Sequence, residues 1–87
     1  MRVVAQKIDA IAIFRGVSRP VPYKFRYTTN EGSSMEIKVD RVISIDELKI
    51  AGVRSIIYEC QSAVEGTERR YQLKYLVPEC RWELYKI

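Results

Sequence analysis

The sequence contains no histidine and only two cysteines among its 87 residues. Without histidine, no side chain has an ordinary pKa near neutrality, and catalytic triads built on histidine are excluded. Zinc sites draw mainly on cysteine and histidine, so Cys60 and Cys80 supply too few ligands for a structural site within one chain. Because the usual proton-transfer and metal-ligand sets are incomplete, we predict no metal, no other cofactor and no enzymatic activity.

Several targeting and redox signals are also missing. The chain has no Cys-x-x-Cys motif, and we expect Cys60 and Cys80 to be reduced apolar fillers, although a single bridge between them is geometrically possible. No apolar run approaches the roughly 18 residues needed to span a membrane. Charged residues interrupt the N-terminal apolar residues, unlike the core of a signal peptide. These features predict a cytoplasmic protein.

The composition is that of an ordinary globular chain, with 47% hydrophobic and 30% charged residues. A chain of this length predicts one small β domain over residues 1–87. The net charge of +4 is mildly basic. It keeps nucleic acid among the candidate partners, because phosphate contacts need lysine and arginine, but it does not establish such binding.

The residue pattern predicts an all-β fold, because short stretches rich in Val, Ile, Tyr and Phe are separated by glycine and proline. The predicted strands cover residues 3–14, 23–28, 35–43, 54–62, 68–76 and 81–87. A helix is the alternative for the first of these, but its β-branched residues favour a strand. Short links indicate antiparallel pairing in chain order, and we expect a six-stranded small barrel or a strongly curled sheet.

Four local features refine this prediction. Residues 15–22 contain a glycine and two prolines and are predicted to form a loop. In the second strand, Tyr23, Phe25 and Tyr27 are expected to share the inner face, and the same alternation over residues 68–76 places Arg69, Tyr71, Leu73 and Tyr75 on one face of the fifth strand. The adjacent apolar residues at 42 and 43 indicate a bulge or a bend. Residues 44–47 fit a capping box, which favours one short helical turn over residues 46–51, with an irregular strand as the alternative.

The segments R-P-V-P-Y-K-F-R-Y, V-D-R-V-I-S-I-D, A-G-V-R-S-I-I-Y-E-C, R-Y-Q-L-K-Y and R-W-E-L follow one another along the chain. In this combination, the sequence resembles a class of short uncharacterised bacterial proteins that form small β-barrels. The resemblance covers residues 19–84. It implies a small barrel with a proline-led aromatic strand, and it brings no activity and no functional residue.

Aromatic and basic residues form the two candidate constellations. The aromatic set suits either core packing, which we favour, or a platform for stacking nucleotide bases. Its eight members are Tyr23, Phe25, Tyr27, Tyr58, Tyr71, Tyr75, Trp82 and Tyr85. If the two strands that carry most of the basic residues were neighbours, their outer faces would form a positive stripe. The candidate nucleic-acid or partner surface consists of Lys24, Arg26, Tyr27, Arg69, Arg70 and Lys74.

These observations predict a non-catalytic binding or assembly module. A short β chain gains buried surface by pairing an edge strand with a second copy, so we expect a strand-mediated homodimer. The N-terminal strand, around Ile11 and Ile13, and the strand over residues 81–87 are the candidate edges. The alternative is a single-stranded nucleic-acid binder that uses the aromatic and basic strand faces, and it is not favoured.

Overall fold

The computed structural model describes residues 1–16 and 19–87, and its regular elements are strands apart from one 3-10 turn at Val77–Glu79. The strands are β1 (Val3–Lys7), β2 (Asp9–Ile13), β3 (Val21–Thr28), β4 (Ser34–Lys38), β5 (Arg41–Ile50), β6 (Val53–Val64), β7 (Thr67–Leu76) and β8 (Arg81–Lys86). They form two antiparallel sheets, with the orders β1-β8-β7-β6-β5 and β2-β3-β4. The all-β antiparallel prediction is confirmed. The barrel of six strands is wrong, because the described residues form eight strands in two sheets and no closed barrel.

The two additional strands arise where predicted strands bend. The first predicted strand divides at Ile8 into β1 and β2, and both halves are strands, as favoured over a helix. The third divides at Val39 and Asp40 into β4 and β5. At each bend the chain passes from one sheet to the other, and the Ile8 N–H still donates to the Trp82 carbonyl of the larger sheet. These bends bring the inner faces of the two sheets together over one core.

Two tight hairpins organise the larger sheet. Ala51 and Gly52 connect β5 to β6, Glu65 and Gly66 connect β6 to β7, and all four have φ between 51° and 83°. Two positive φ values in a two-residue loop match the twist of the paired strands. Of the two alternatives for residues 46–51, the helical turn is wrong and the continued strand is confirmed, because β5 extends to Ile50 in register with β6. One short capping signal does not nucleate a helix against such a continuous ladder.

Two of the register shifts between strands bear on the predicted strand faces. The predicted irregularity at Val42 and Ile43 is confirmed, since the pairing of β5 with β6 shifts there. A second shift separates the pairs Ile11–Lys24 and Ala12–Pro22, and it leaves Tyr23 as an extra residue in β3.

This second bulge turns Tyr23 outward. Pro22 and Phe25 are buried, whereas Tyr23 is exposed. The prediction that Tyr23 shares the inner face with Phe25 is therefore wrong. Proline has no N–H to donate to a ladder, which is why strands tolerate it at bulges and edges.

The predicted loop over residues 15–22 is shorter than expected, because β3 begins at Val21. Val17 and Ser18 of that loop lie outside the described residues. In the part of the chain that is described, no helix has the length and apolar character needed to cross a membrane.

The core lies between the two sheets and is rich in aromatic rings. Trp82 packs against Tyr58 and Tyr75 with ring centroids 5.2 and 4.9 Å apart, and Phe25 packs against Tyr71 at 5.4 Å. The alternation predicted for residues 68–76 is confirmed, since Tyr71, Leu73 and Tyr75 are buried. Both cysteines are free thiols, as predicted, and Cys60 is buried. The prediction that Cys80 is also an apolar filler is wrong, because Cys80 is exposed.

Candidate binding groove and edge strand

The predicted basic surface is divided among three places. Lys24 and Arg26 lie on β3 of the smaller sheet, whereas Arg69, Arg70 and Lys74 lie on β7 of the larger sheet. Since β3 and β7 are not neighbours, the continuous positive stripe considered from the sequence does not form.

Carboxylates neutralise the β3 cations. Lys24 Nζ lies 3.1 Å from Glu36 Oε1, and Arg26 Nη2 lies 2.7 Å from Asp9 Oδ2. The hydrogen bond that Arg26 donates to the Asp9 carboxylate is the main reason that the pKa of Arg26 is raised. The two cations are therefore already matched by charges on the adjoining strands.

Lys74 lies on the outer face of the larger sheet, beside Tyr85. Its Nζ is 4.8 Å from the centre of the Tyr85 ring, and Lys86 Nζ is 5.4 Å from the same ring. Cations at these distances are attracted by the electron-rich face of the ring. This cluster could not be predicted from the sequence, because it depends on the register of β7 with β8.

The three remaining predicted residues, Tyr27, Arg69 and Arg70, line one groove of about 420 Å³ between the two sheets. Phe25 and Tyr27 of β3 form part of one wall, and Tyr71 of β7 lies opposite. The groove also contains the apolar side chains of Met35, Ile37, Val64, Leu84 and Ile87. Met35 and Ile37 alternate with charged residues along β4, a pattern that predicts an inner face of the sheet but not a groove.

The hydroxyl groups of the groove already have partners. The Tyr27 hydroxyl donates to Met35 Sδ at 3.4 Å, and the Tyr71 hydroxyl lies 2.5 Å from Ser62 Oγ. Burial raises the pKa of Tyr71 above its ordinary value, so this phenol is neutral at physiological pH. The groove walls therefore offer apolar surface more than unsatisfied polar groups.

The remaining buried titratable groups are also neutral. Burial raises the pKa of the Cys60 thiol to about 12 and that of the Tyr58 hydroxyl to about 12. Tyr58 donates its hydrogen bond to the Pro20 carbonyl, which fastens β6 to the segment before β3. A thiol becomes nucleophilic through a lowered pKa, so the environment of Cys60 suits packing.

Most of the predicted aromatic set packs in the core. Five of its eight members are buried, namely Phe25, Tyr58, Tyr71, Tyr75 and Trp82. A base cannot stack on rings that already lie inside the core, so only Tyr23, Tyr27 and Tyr85 of this set retain an accessible face.

Strand β2 is a second candidate surface. It lies at one edge of the smaller sheet, and its outer face continues onto β3. We call the exposed side chains on this face the β2–β3 apolar patch, which consists of Ile11, Ile13, Val21 and Tyr23. The other predicted edge is wrong, because β8 is paired with β1 on one side and with β7 on the other.

No family model, curated protein or solved structure matches this chain. The resemblance to short bacterial small-barrel proteins therefore remains a prediction. The features that bear on function are the groove, the edge strand β2 and the outer face of the larger sheet.

Proposed function

We propose that this protein is a non-catalytic binding and assembly module that forms a homodimer through strand β2. The observation that carries the proposal is an unpaired strand edge beside exposed apolar side chains. Ile11 is 55% exposed and Ile13 is 39% exposed. Exposed apolar edge strands promote pairing with another chain. A cytoplasmic location, expected from the sequence, is part of this proposal.

The other edges in the described residues carry features that oppose pairing. Strand β1 has a register shift and a positive φ at Ala5, and β5 has a register shift beside Ile43. Strand β4 carries Glu36 and Lys38 among its five residues. Bulges and charges are the usual protection of sheet edges, whereas the only charged residue of β2 is Asp9.

An antiparallel β2–β2 contact joins the two smaller sheets into one. A two-fold axis at Ala12 places Ile11 of one copy opposite Ile13 of the other. This register pairs the isoleucines and leaves Asp9 with Arg26, its partner within the chain. Cross-strand pairs of β-branched side chains stabilise such an arrangement.

Sedimentation equilibrium at micromolar concentration tests this assembly. We expect the wild-type chain to have the mass of a dimer and Ile11→Lys to have the mass of a monomer. Ile50→Lys is the matched control, because Ile50 is also exposed but lies at the tip of the β5–β6 hairpin. A wild-type monomer contradicts the proposal, as does a dimer that Ile50→Lys disrupts and Ile11→Lys does not.

Single-stranded nucleic-acid binding is the second candidate, and the Lys74–Tyr85–Lys86 cluster favours it. An accessible ring between two cations combines stacking with phosphate contact. Fluorescence anisotropy with a labelled single-stranded oligonucleotide should show micromolar binding that weakens steeply with salt. Lys74→Gln should weaken it and Arg41→Gln, on β5, should not. Absence of binding at low salt removes this candidate.

A further inference from the structure

The groove between the two sheets is separate from the surface proposed for assembly, because no residue of β2 lines it. Its volume of about 420 Å³ lies within the range of about 300–1,000 Å³ that is typical of small-molecule sites. This space suits a small organic molecule better than a folded partner.

The interior of the groove favours the apolar part of a ligand. Phe25, Ile37 and Leu84 contribute buried apolar surface from both sheets. The hydroxyls of Tyr27 and Tyr71 are occupied by Met35 and Ser62, so neither needs a polar partner from the ligand. Burying an unpaired polar group against such walls costs free energy, whereas burying an alkyl or aromatic group is favourable.

The lining charges select an anion. Arg69 and Arg70 both line the groove, and within residues 1–16 and 19–87 neither has a carboxylate oxygen within 4.0 Å. Arg26, in contrast, is held by a carboxylate elsewhere. Glu65 is the one acidic residue in the lining, so two arginines and one glutamate leave a single net positive charge.

We infer that this groove binds a small amphiphilic anion, with its apolar body between the sheets and its carboxylate or phosphate group at Arg69, on the same face of β7 as Tyr71, while Arg70 adds positive charge at the edge of the groove. A guanidinium presents a planar fork of donors that matches both oxyanions. The apolar body supplies contact area, and the arginines fix the orientation of the charged end.

Titrations of the isotope-labelled chain, followed by NMR amide shifts, test this inference with four probes. Octanoate and octyl phosphate carry both parts of the expected ligand, octanol carries only the apolar part, and acetate carries only the charge. We expect the first two to shift groove amides, including those of Val64, Thr67 and Arg69, and octanol to bind about tenfold more weakly or worse. Acetate should cause no saturable shift.

Arg69→Gln removes the charge from an exposed position and should reduce the difference between octanoate and octanol severalfold. Arg41→Gln is the matched control, because it removes an exposed arginine outside the groove lining, and it should change nothing. Preference for octanoate or for octyl phosphate identifies the oxyanion, and either supports the site. Equal binding of octanoate and octanol, shifts outside the groove, or binding that Arg69→Gln leaves unchanged overturns the inference.

Discussion

At the scale of single residues, Ser62 connects the bend between β4 and β5 to the C-terminal part of β6. Its hydroxyl donates to the Lys38 carbonyl at 2.7 Å and accepts from the Asp40 N–H at 3.4 Å. Since a serine hydroxyl has one hydrogen, the Tyr71 hydroxyl at 2.5 Å must be the donor in the remaining contact. One fully buried side chain therefore satisfies polar groups from three neighbouring elements.

We expect Ser62→Ala to lower the free energy of unfolding by about 1–3 kcal/mol, because it leaves the buried Tyr71 hydroxyl without its acceptor. Tyr71→Phe should be less costly once Ser62 is alanine, since the shared hydrogen bond is already lost. Urea unfolding of the two single variants and the double variant measures this coupling.

Ser44→Ala is the matched control, because Ser44 is exposed on β5. It should change stability by less than about 0.5 kcal/mol. If the losses in free energy of unfolding caused by Ser62→Ala and Tyr71→Phe were strictly additive, the two hydroxyls would not be coupled, which would contradict this prediction.

At the scale of elements, the turn residues decide where the long hairpins end. Gly66 has a φ of 78°, and a Cβ added there would meet no atom within 4 Å. A substitution at this position is therefore opposed by backbone conformation alone. L-residues with a side chain are disfavoured in the left-handed region, and asparagine is tolerated better than alanine.

We expect Gly66→Ala to destabilise the protein by about 1–2 kcal/mol. Gly66→Asn should recover at least half of that loss, because asparagine is accepted in such hairpin turns. Thermal and urea unfolding of both variants measure the difference. Equal losses for alanine and asparagine would contradict a purely conformational cause.

The same elements show what could be predicted from the sequence. Alternation in β7 correctly identified Tyr71, Leu73 and Tyr75 as core, because β7 pairs with β6 without a shift and the extra residue in its pairing with β8 lies in β8. It failed at Tyr23, where the extra residue is evident only from the pairing of β3 with β2. The alternation of residues is a property of a single strand, whereas a bulge is defined by the pairing of two strands.

The pairing of strands that are distant in sequence also explains which predicted members of the candidate surface lie together and which do not. Three of its six predicted members meet at the groove, because β3 and β7 face each other across the core. Arg26 does not, because β2 places Asp9 directly opposite it. Asp9 lies 17 residues earlier in the chain, and no local pattern announces that pairing.

At the scale of the whole molecule, one core contains three buried groups that must stay protonated. Burial raises the pKa of Cys60 from 9.0 to about 12 and that of Tyr58 from 10.0 to about 12, and it raises the pKa of Tyr71 as well. Each group ionises at lower pH in the unfolded chain than in the folded one. Their contributions are therefore fully present below the unfolded pKa values and are lost as the pH rises through the folded ones.

We expect the free energy of unfolding to stay nearly constant, as far as these groups are concerned, from neutrality up to about pH 9. Between about pH 9 and pH 12 it should fall by up to about 1.4 kcal/mol per pH unit for each proton that the unfolded chain releases first. Urea unfolding at a series of pH values measures this slope.

Cys60→Ala should reduce the slope between about pH 9 and pH 10, where the unfolded thiol titrates before the tyrosines. A stability that stays constant up to about pH 11, or a slope that Cys60→Ala leaves unchanged, would contradict the view that burial keeps these groups protonated.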